Sequence, residues 1–164
     1  MVIASAKGEP IVGNGVTMFE LPVSDISRAQ KFYREAFGWY TAPVPGLPST
    51  AHSPADRTEI HQRAILEAIP TSVNENGFPV EPGMITGILT QRVAEITSPT
   101  IILEVEDIEE ALRRVEVCGG TTITGRHEAG ETGSYAYVAD TEGNVLCLWK
   151  DVVPGIRVGV STVT

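Results

Sequence analysis

The chain repeats part of its own sequence, and that repeat limits the available folds more than any other feature. Moved on by 82 positions, Leu21 falls on Leu103, Val23 on Val105, Asp25 on Asp107, Ile26 on Ile108, Ala29 on Ala111, Lys31 on Arg113 and Gly38 on Gly120, with no gap. Each copy reads as a strand, a cap, a helix and a glycine stop. In the first, residues 17–23 alternate, with Phe19, Leu21 and Val23 on one face and Met18, Glu20 and Pro22 on the other. Asp25 can accept hydrogen bonds from the free N–H groups of the following turn. Ile26, Ala29, Phe32, Tyr33, Ala36 and Phe37 recur at spacings of three and four, which predicts one buried helix face ending at Gly38. In the second, Asp107 with Glu110 makes a capping-box-like start. Ile108, Ala111, Leu112, Val115 and Cys118 form the apolar face there, and Gly119-Gly120 stops the helix.

Strands are expected after each helix. In the first half they fall at 39–44, 60–69 and 83–90, with loops over 45–59 and 70–82. In the second half they fall at 121–124, 134–139 and 144–150, with a loop over 125–133 and the turn Asp140-Thr-Glu-Gly143. Two β-α-β-β-β units make an α+β fold, a single domain over 15–151 with modules at 15–92 and 98–151. Residues 1–14 read as a leader and 152–164 as a tail.

Composition narrows the partners. The net charge is −9, and no basic run is present to neutralise phosphates, so nucleic acid and anionic membrane are not expected. No apolar segment reaches the roughly 20 residues that span a bilayer. Residues 1–14 have neither the basic region nor the apolar core of a signal peptide. The two cysteines, Cys118 and Cys147, give no disulfide framework and suit a reducing compartment, so the expected location is the cytoplasm.

The runs Glu20-Leu-Pro-Val-Ser-Asp-Ile, Phe32-Tyr33, Phe37-Gly38-Trp39 and Asp140-Thr-Glu-Gly-Asn-Val-Leu-Cys-Leu-Trp149 resemble the vicinal oxygen chelate superfamily. That group holds glyoxalase I, extradiol dioxygenases, fosfomycin-resistance enzymes and bleomycin-binding proteins. The chain looks like its short two-module, glyoxalase-like members. The resemblance implies an eight-stranded sheet curled into a half-open cup, with helices outside and a small-molecule ligand inside. It also implies a homodimer. In metal-using relatives four inward strand positions carry His, Glu or Gln. The matching positions here are Met18, Gly87, Thr100 and Cys147. That set does not suit a divalent transition metal, so no metal or other cofactor is expected.

Glu20 shares a strand face with Met18, which aims it into the cup. Ringed by Leu89, Ile102 and Trp149, a carboxylate there suits general acid/base work. A solvated rim position is the plainer alternative, and the same choice applies to Glu104. Tyr135 and Tyr137 share a face and could stack on a ligand or donate to it, or could be core with satisfied hydroxyls. Met18, Thr100, Cys147 and Trp149 would complete the lining. Cys147 reads as an inert buried thiol, because no neighbouring base is visible. His127 would lie near the mouth of the cup, and exposed loop positions are the plainer reading for it and for His52 and His61. No Gly-x-Ser-x-Gly, P-loop or dinucleotide fingerprint occurs.

Three functions stay open. The first is a metal-independent enzyme of lyase or isomerase type, with Glu20 moving a proton on a fairly apolar, cyclic or aromatic metabolite. The second is a protein that binds a drug or metabolite without turnover. The third, metal-dependent glyoxalase or dioxygenase chemistry, would need ligands from His52, His61 or Glu67.

Overall fold

A computed structural model of the chain describes residues 14–43, 65–69, 72, 80–129 and 132–152. The first copy of the repeat forms β1 (Val16–Val23) and α1 (Ile26–Phe37). Asp25 caps the helix as expected, its Oδ1 accepting from the Arg28 amide at 2.9 Å. The second copy forms β5 (Thr100–Glu104) and α2 (Ile108–Val117), where Asp107 Oδ1 accepts from the Glu110 amide, again at 2.9 Å. The helix stops differ by one residue. Gly38 takes the left-handed conformation after α1 (φ 71°), but after α2 it is Gly119 (φ 90°), not the aligned Gly120.

The remaining strands are β2 (Tyr40–Pro43), β3 (Ile65–Ile69), β4 (Thr86–Gln91), β6 (Thr121–Thr122), β7 (His127–Ala129), β8 (Gly133–Ala139) and β9 (Val145–Asp151). Of the nine strands among the described residues, eight run in the order β2-β3-β4-β1-β5-β9-β8-β6 in one open sheet. The ninth, β7, pairs with β8 within the stretch expected to be a loop, because His127 to Ala129 finds an antiparallel partner in Gly133 to Tyr135. The turn after β8 forms as read. Asp140 Oδ1 accepts from the amides of Glu142 and Asn144 at 2.9 and 2.8 Å.

Within each module the first strand runs parallel to the last, β1 to β4 and β5 to β9. The modules join at the centre of the sheet, where β1 and β5 run antiparallel. Both helices cover one face. Beneath α2 lie Val105, Ala136, Val138 and Leu148, packed on Ile108, Ala111 and Leu112. Beneath α1 lie Leu21, Val23 and Leu89, packed on Ile26, Ala29, Tyr33 and Trp39.

Two sequence expectations fail on the helices. Phe32 and Phe37 are 55% and 61% exposed, and Ala36 is exposed too, because the apolar stripe of α1 is wider than its contact with the sheet. The aromatics instead pack on one another, Phe32 on Tyr33 and Phe37, and Tyr33 on Trp39. Cys118 follows the last residue of α2 and is exposed.

Candidate functional site

The helix-free face is built by the residues that alternate with the core. On β1 these are Met18 and Glu20, which pair with Thr86 and Ile88 of β4 on one side and with Ile102 and Thr100 of β5 on the other. Ile102 stands beside Cys147 of β9, and Tyr137 and Tyr135 of β8 face Cys147 and Trp149. One apolar cluster results, with Ile96, Ile102, Ala129, Tyr135, Tyr137 and Cys147 buried and Met18, Ile88 and Trp149 packed against them.

Glu20 lies fully buried at the centre of this face. One carboxylate oxygen accepts from the Thr90 hydroxyl at 2.7 Å and the other from the Tyr137 hydroxyl at 2.8 Å. A hydroxyl at each oxygen holds the carboxyl group in a fixed plane. Thr90 follows from β4 of the first module and Tyr137 from β8 of the second, so the site draws on both halves. Thr86 and Thr100 are also buried on this face.

Most residues singled out in the sequence gather here. Met18, Thr100, Ile102, Tyr135, Tyr137, Cys147 and Trp149 share the face with Glu20. Tyr137 uses its hydroxyl on Glu20, and its ring meets Tyr135 edge-on at 5.8 Å. His127 is half-buried, its ring 5.5 Å from Tyr135. Glu104 is half-buried and pairs with Trp149 at the end of β5. The Trp149 indole donates to Asp151. His52 and His61 lie outside the described residues.

Leu89 is the correction. It pairs with Leu21 and is buried under α1, on the face away from Glu20. The residue that pairs with Glu20 is Ile88, and Gly87 pairs with Phe19 on the helix side. A one-residue shift in a strand sends every side chain to the opposite face. Shifted by 82, Glu20 falls on Ile102, which pairs with Cys147, so the true counterpart of Cys147 is Ile88 and not Gly87. The same shift hides Thr90, the Glu20 partner that sequence reasoning misses. In the structure Gly87 lies opposite aromatic Phe19, and any Cβ on it would overlap the Phe19 ring.

The donors on this face fit a transition metal poorly. Met18 offers a thioether, Thr86, Thr90 and Thr100 hydroxyls, Cys147 a buried thiol, and Glu20 a carboxylate tied to two hydroxyls. Among the described residues no three His, Cys, Asp or Glu side chains lie together as a metal would need.

Among the solved structures with this fold is a hypothetical protein from Bacillus halodurans, 15% identical with a TM-score of 0.55, covering 87% of this chain and 97% of that one. Another is a methylmalonyl-CoA epimerase from Mycobacterium tuberculosis, 15% identical with a TM-score of 0.51, covering 87% and 91%. A third is a Mn(II)-bound glyoxalase from Novosphingobium aromaticivorans, 11% identical with a TM-score of 0.51, covering 87% of this chain and 39% of that one. At these identities the likeness is one of fold. No curated protein matches the chain. The family model of the glyoxalase-like domain matches residues 18–149, a span that reaches across both copies of the repeat and takes in Glu20, Thr90 and Tyr137. The chain belongs to the glyoxalase-like domain family, within the vicinal oxygen chelate superfamily.

Proposed function

We propose that this protein is a small-molecule enzyme of lyase or isomerase type in which Glu20 moves a proton on a fairly apolar, cyclic or aromatic substrate. The observation that carries the reading is a fully buried carboxylate held at both oxygens by hydroxyls and walled by Met18, Ile88, Ile102 and Tyr135. A carboxylate fixed in plane and shielded from water is placed to take a proton from the carbon next to a carbonyl and to return it on the same face. Met18, Thr100, Tyr135, Cys147 and Trp149 serve as lining, with His127 and Glu104 towards the edges. The electron pair left on the carbon moves onto the carbonyl oxygen as an enolate, and the proton that Glu20 returns restores the ketone, so the step as proposed is metal-independent. The resemblance also supports a cytoplasmic homodimer, and sedimentation of the 17.6 kDa chain distinguishes one copy from two.

Deuterium uptake tests the proposal. Ring ketones such as 2-indanone are incubated with the protein in D2O, and loss of the α-proton signal is followed by NMR. Wild type accelerates exchange, while Glu20→Gln loses about a hundredfold or more of that rate yet keeps affinity. Binding by wild type without any exchange across such a panel sinks the enzyme reading. It would leave a binding protein that sequesters its ligand, the second reading open to this fold.

A further inference from the structure

A cleft on the opposite face of the sheet has a different character. It lies between α1 and β2, is lined by Ser27, Gln30, Lys31, Arg34, Trp39, Tyr40 and Thr41, and holds about 220 Å³. Ser27, Gln30, Lys31 and Arg34 recur at spacings of three and four, so they form one edge of the helix. In a chain with 21 acidic residues and a net charge of −9, this lining has two cations and, among the described residues, no carboxylate. Gln30 crosses the floor of the cleft, its Nε2 donating to Thr41 Oγ1 at 3.0 Å. With its oxygen accepting that bond, the Thr41 hydroxyl can turn its own proton towards a ligand. The wall is aromatic and braced. The Trp39 indole stacks on Tyr33 at 4.9 Å and 11°, and Tyr40 beside it is 55% exposed.

We infer that this cleft is a second small-molecule site, separate from Glu20, that takes a ring compound carrying a carboxylate or a phosphate. The guanidinium of Arg34 and the ammonium of Lys31 supply charge-assisted donors for an oxyanion. Ser27 and Thr41 add neutral hydroxyls, and Trp39 with Tyr40 offers the flat surface against which a ring packs. The volume is below the ~300 Å³ of the smallest drug-sized pockets, which fits one ring with its anionic group and little more.

Nuclear magnetic resonance on the 15N-labelled full chain tests this with four probes: phenyl phosphate, benzoate, inorganic phosphate and benzyl alcohol. Phenyl phosphate or benzoate is expected to shift the Trp39 indole and the Gln30 side-chain amide saturably. Whichever of the two binds more tightly names the anion. The Trp149 indole, on the other face, should not move. Inorganic phosphate should bind more weakly and benzyl alcohol not at all. Lys31→Gln with Arg34→Gln, both exposed positions, should weaken binding at least about tenfold, and added salt should weaken it in wild type. The inference is overturned if no probe gives a saturable shift at Trp39 and Gln30. It is equally overturned if benzyl alcohol or inorganic phosphate binds as tightly as the ring anions, or if the double variant binds unchanged.

Discussion

Glu20 joins side chains that are far apart in sequence, 70 residues to Thr90 and 117 to Tyr137. All three are buried, so removing either hydroxyl leaves the carboxylate enclosed and short of a donor. Thr90→Val and Tyr137→Phe should each destabilise the protein by about 1.5–3 kcal/mol, measured by chemical denaturation, whatever the ligand. A neutral result at either position would show that its bond adds nothing to the folded state. Glu20 itself was legible in the sequence, because alternation along residues 17–23 places it opposite Leu21 and Val23. Its partners were not. Tyr137 was marked as facing the ligand, yet its hydroxyl is committed to Glu20, and no local pattern announces a bond across two modules.

The elements were easier to read than the way they pair. Caps, stops and helix faces follow from residues a few positions apart, and Asp25, Asp107 and the Asp140 turn form as their chemistry requires. The register of β4 fails because Ile88 and Leu89 are adjacent apolar residues, and either could face the core. The structure assigns Leu89 to the core under α1, with none of its surface exposed. Leu89→Ala should therefore cost about 2–5 kcal/mol of stability while leaving affinity for a ligand at Glu20 unchanged. A large loss of affinity with little loss of stability would restore the original register. Gly87→Ala tests the same register from the other side. Its new methyl group would collide with Phe19, and overpacking of this kind costs about 1–3 kcal/mol in the same denaturation measurement.

At the scale of the whole molecule, three exposed carboxyls tie pH to stability. The Glu110 amide holds Asp107 below its ordinary value of 3.8, the Arg113 guanidinium holds Glu110 below 4.5, and Asn144 holds Asp140 below 3.8. A carboxyl depressed by folding stabilises the native state above its unfolded pKa and loses that contribution as pH falls through the folded value. The melting temperature should hold steady near neutrality and fall as pH drops below about 4. Replacing Asp107 and Asp140 together with Asn should flatten that fall, and an unchanged slope would remove these two caps as its cause. The α+β class and the two modules could be read from the repeat, and the division into a helix face and a ligand face came from the family resemblance. The ninth strand and the exposed aromatics of α1 depend on how much surface each neighbour covers, which no periodicity encodes.

The central position of β1 also has a consequence for synthesis. Both its partners, β4 and β5, come from residues 86–104, well after it in the chain, and the phenol that completes its buried carboxylate comes later still. Pairings this distant make folding slow relative to helical proteins of the same size. During translation β1 has an apolar face and two open edges, which leaves residues 16–23 exposed to wrong strand pairing. The charge of Glu20 and the missing N–H of Pro22 both oppose such pairing. The same carboxylate that serves the folded site would then guard the growing chain.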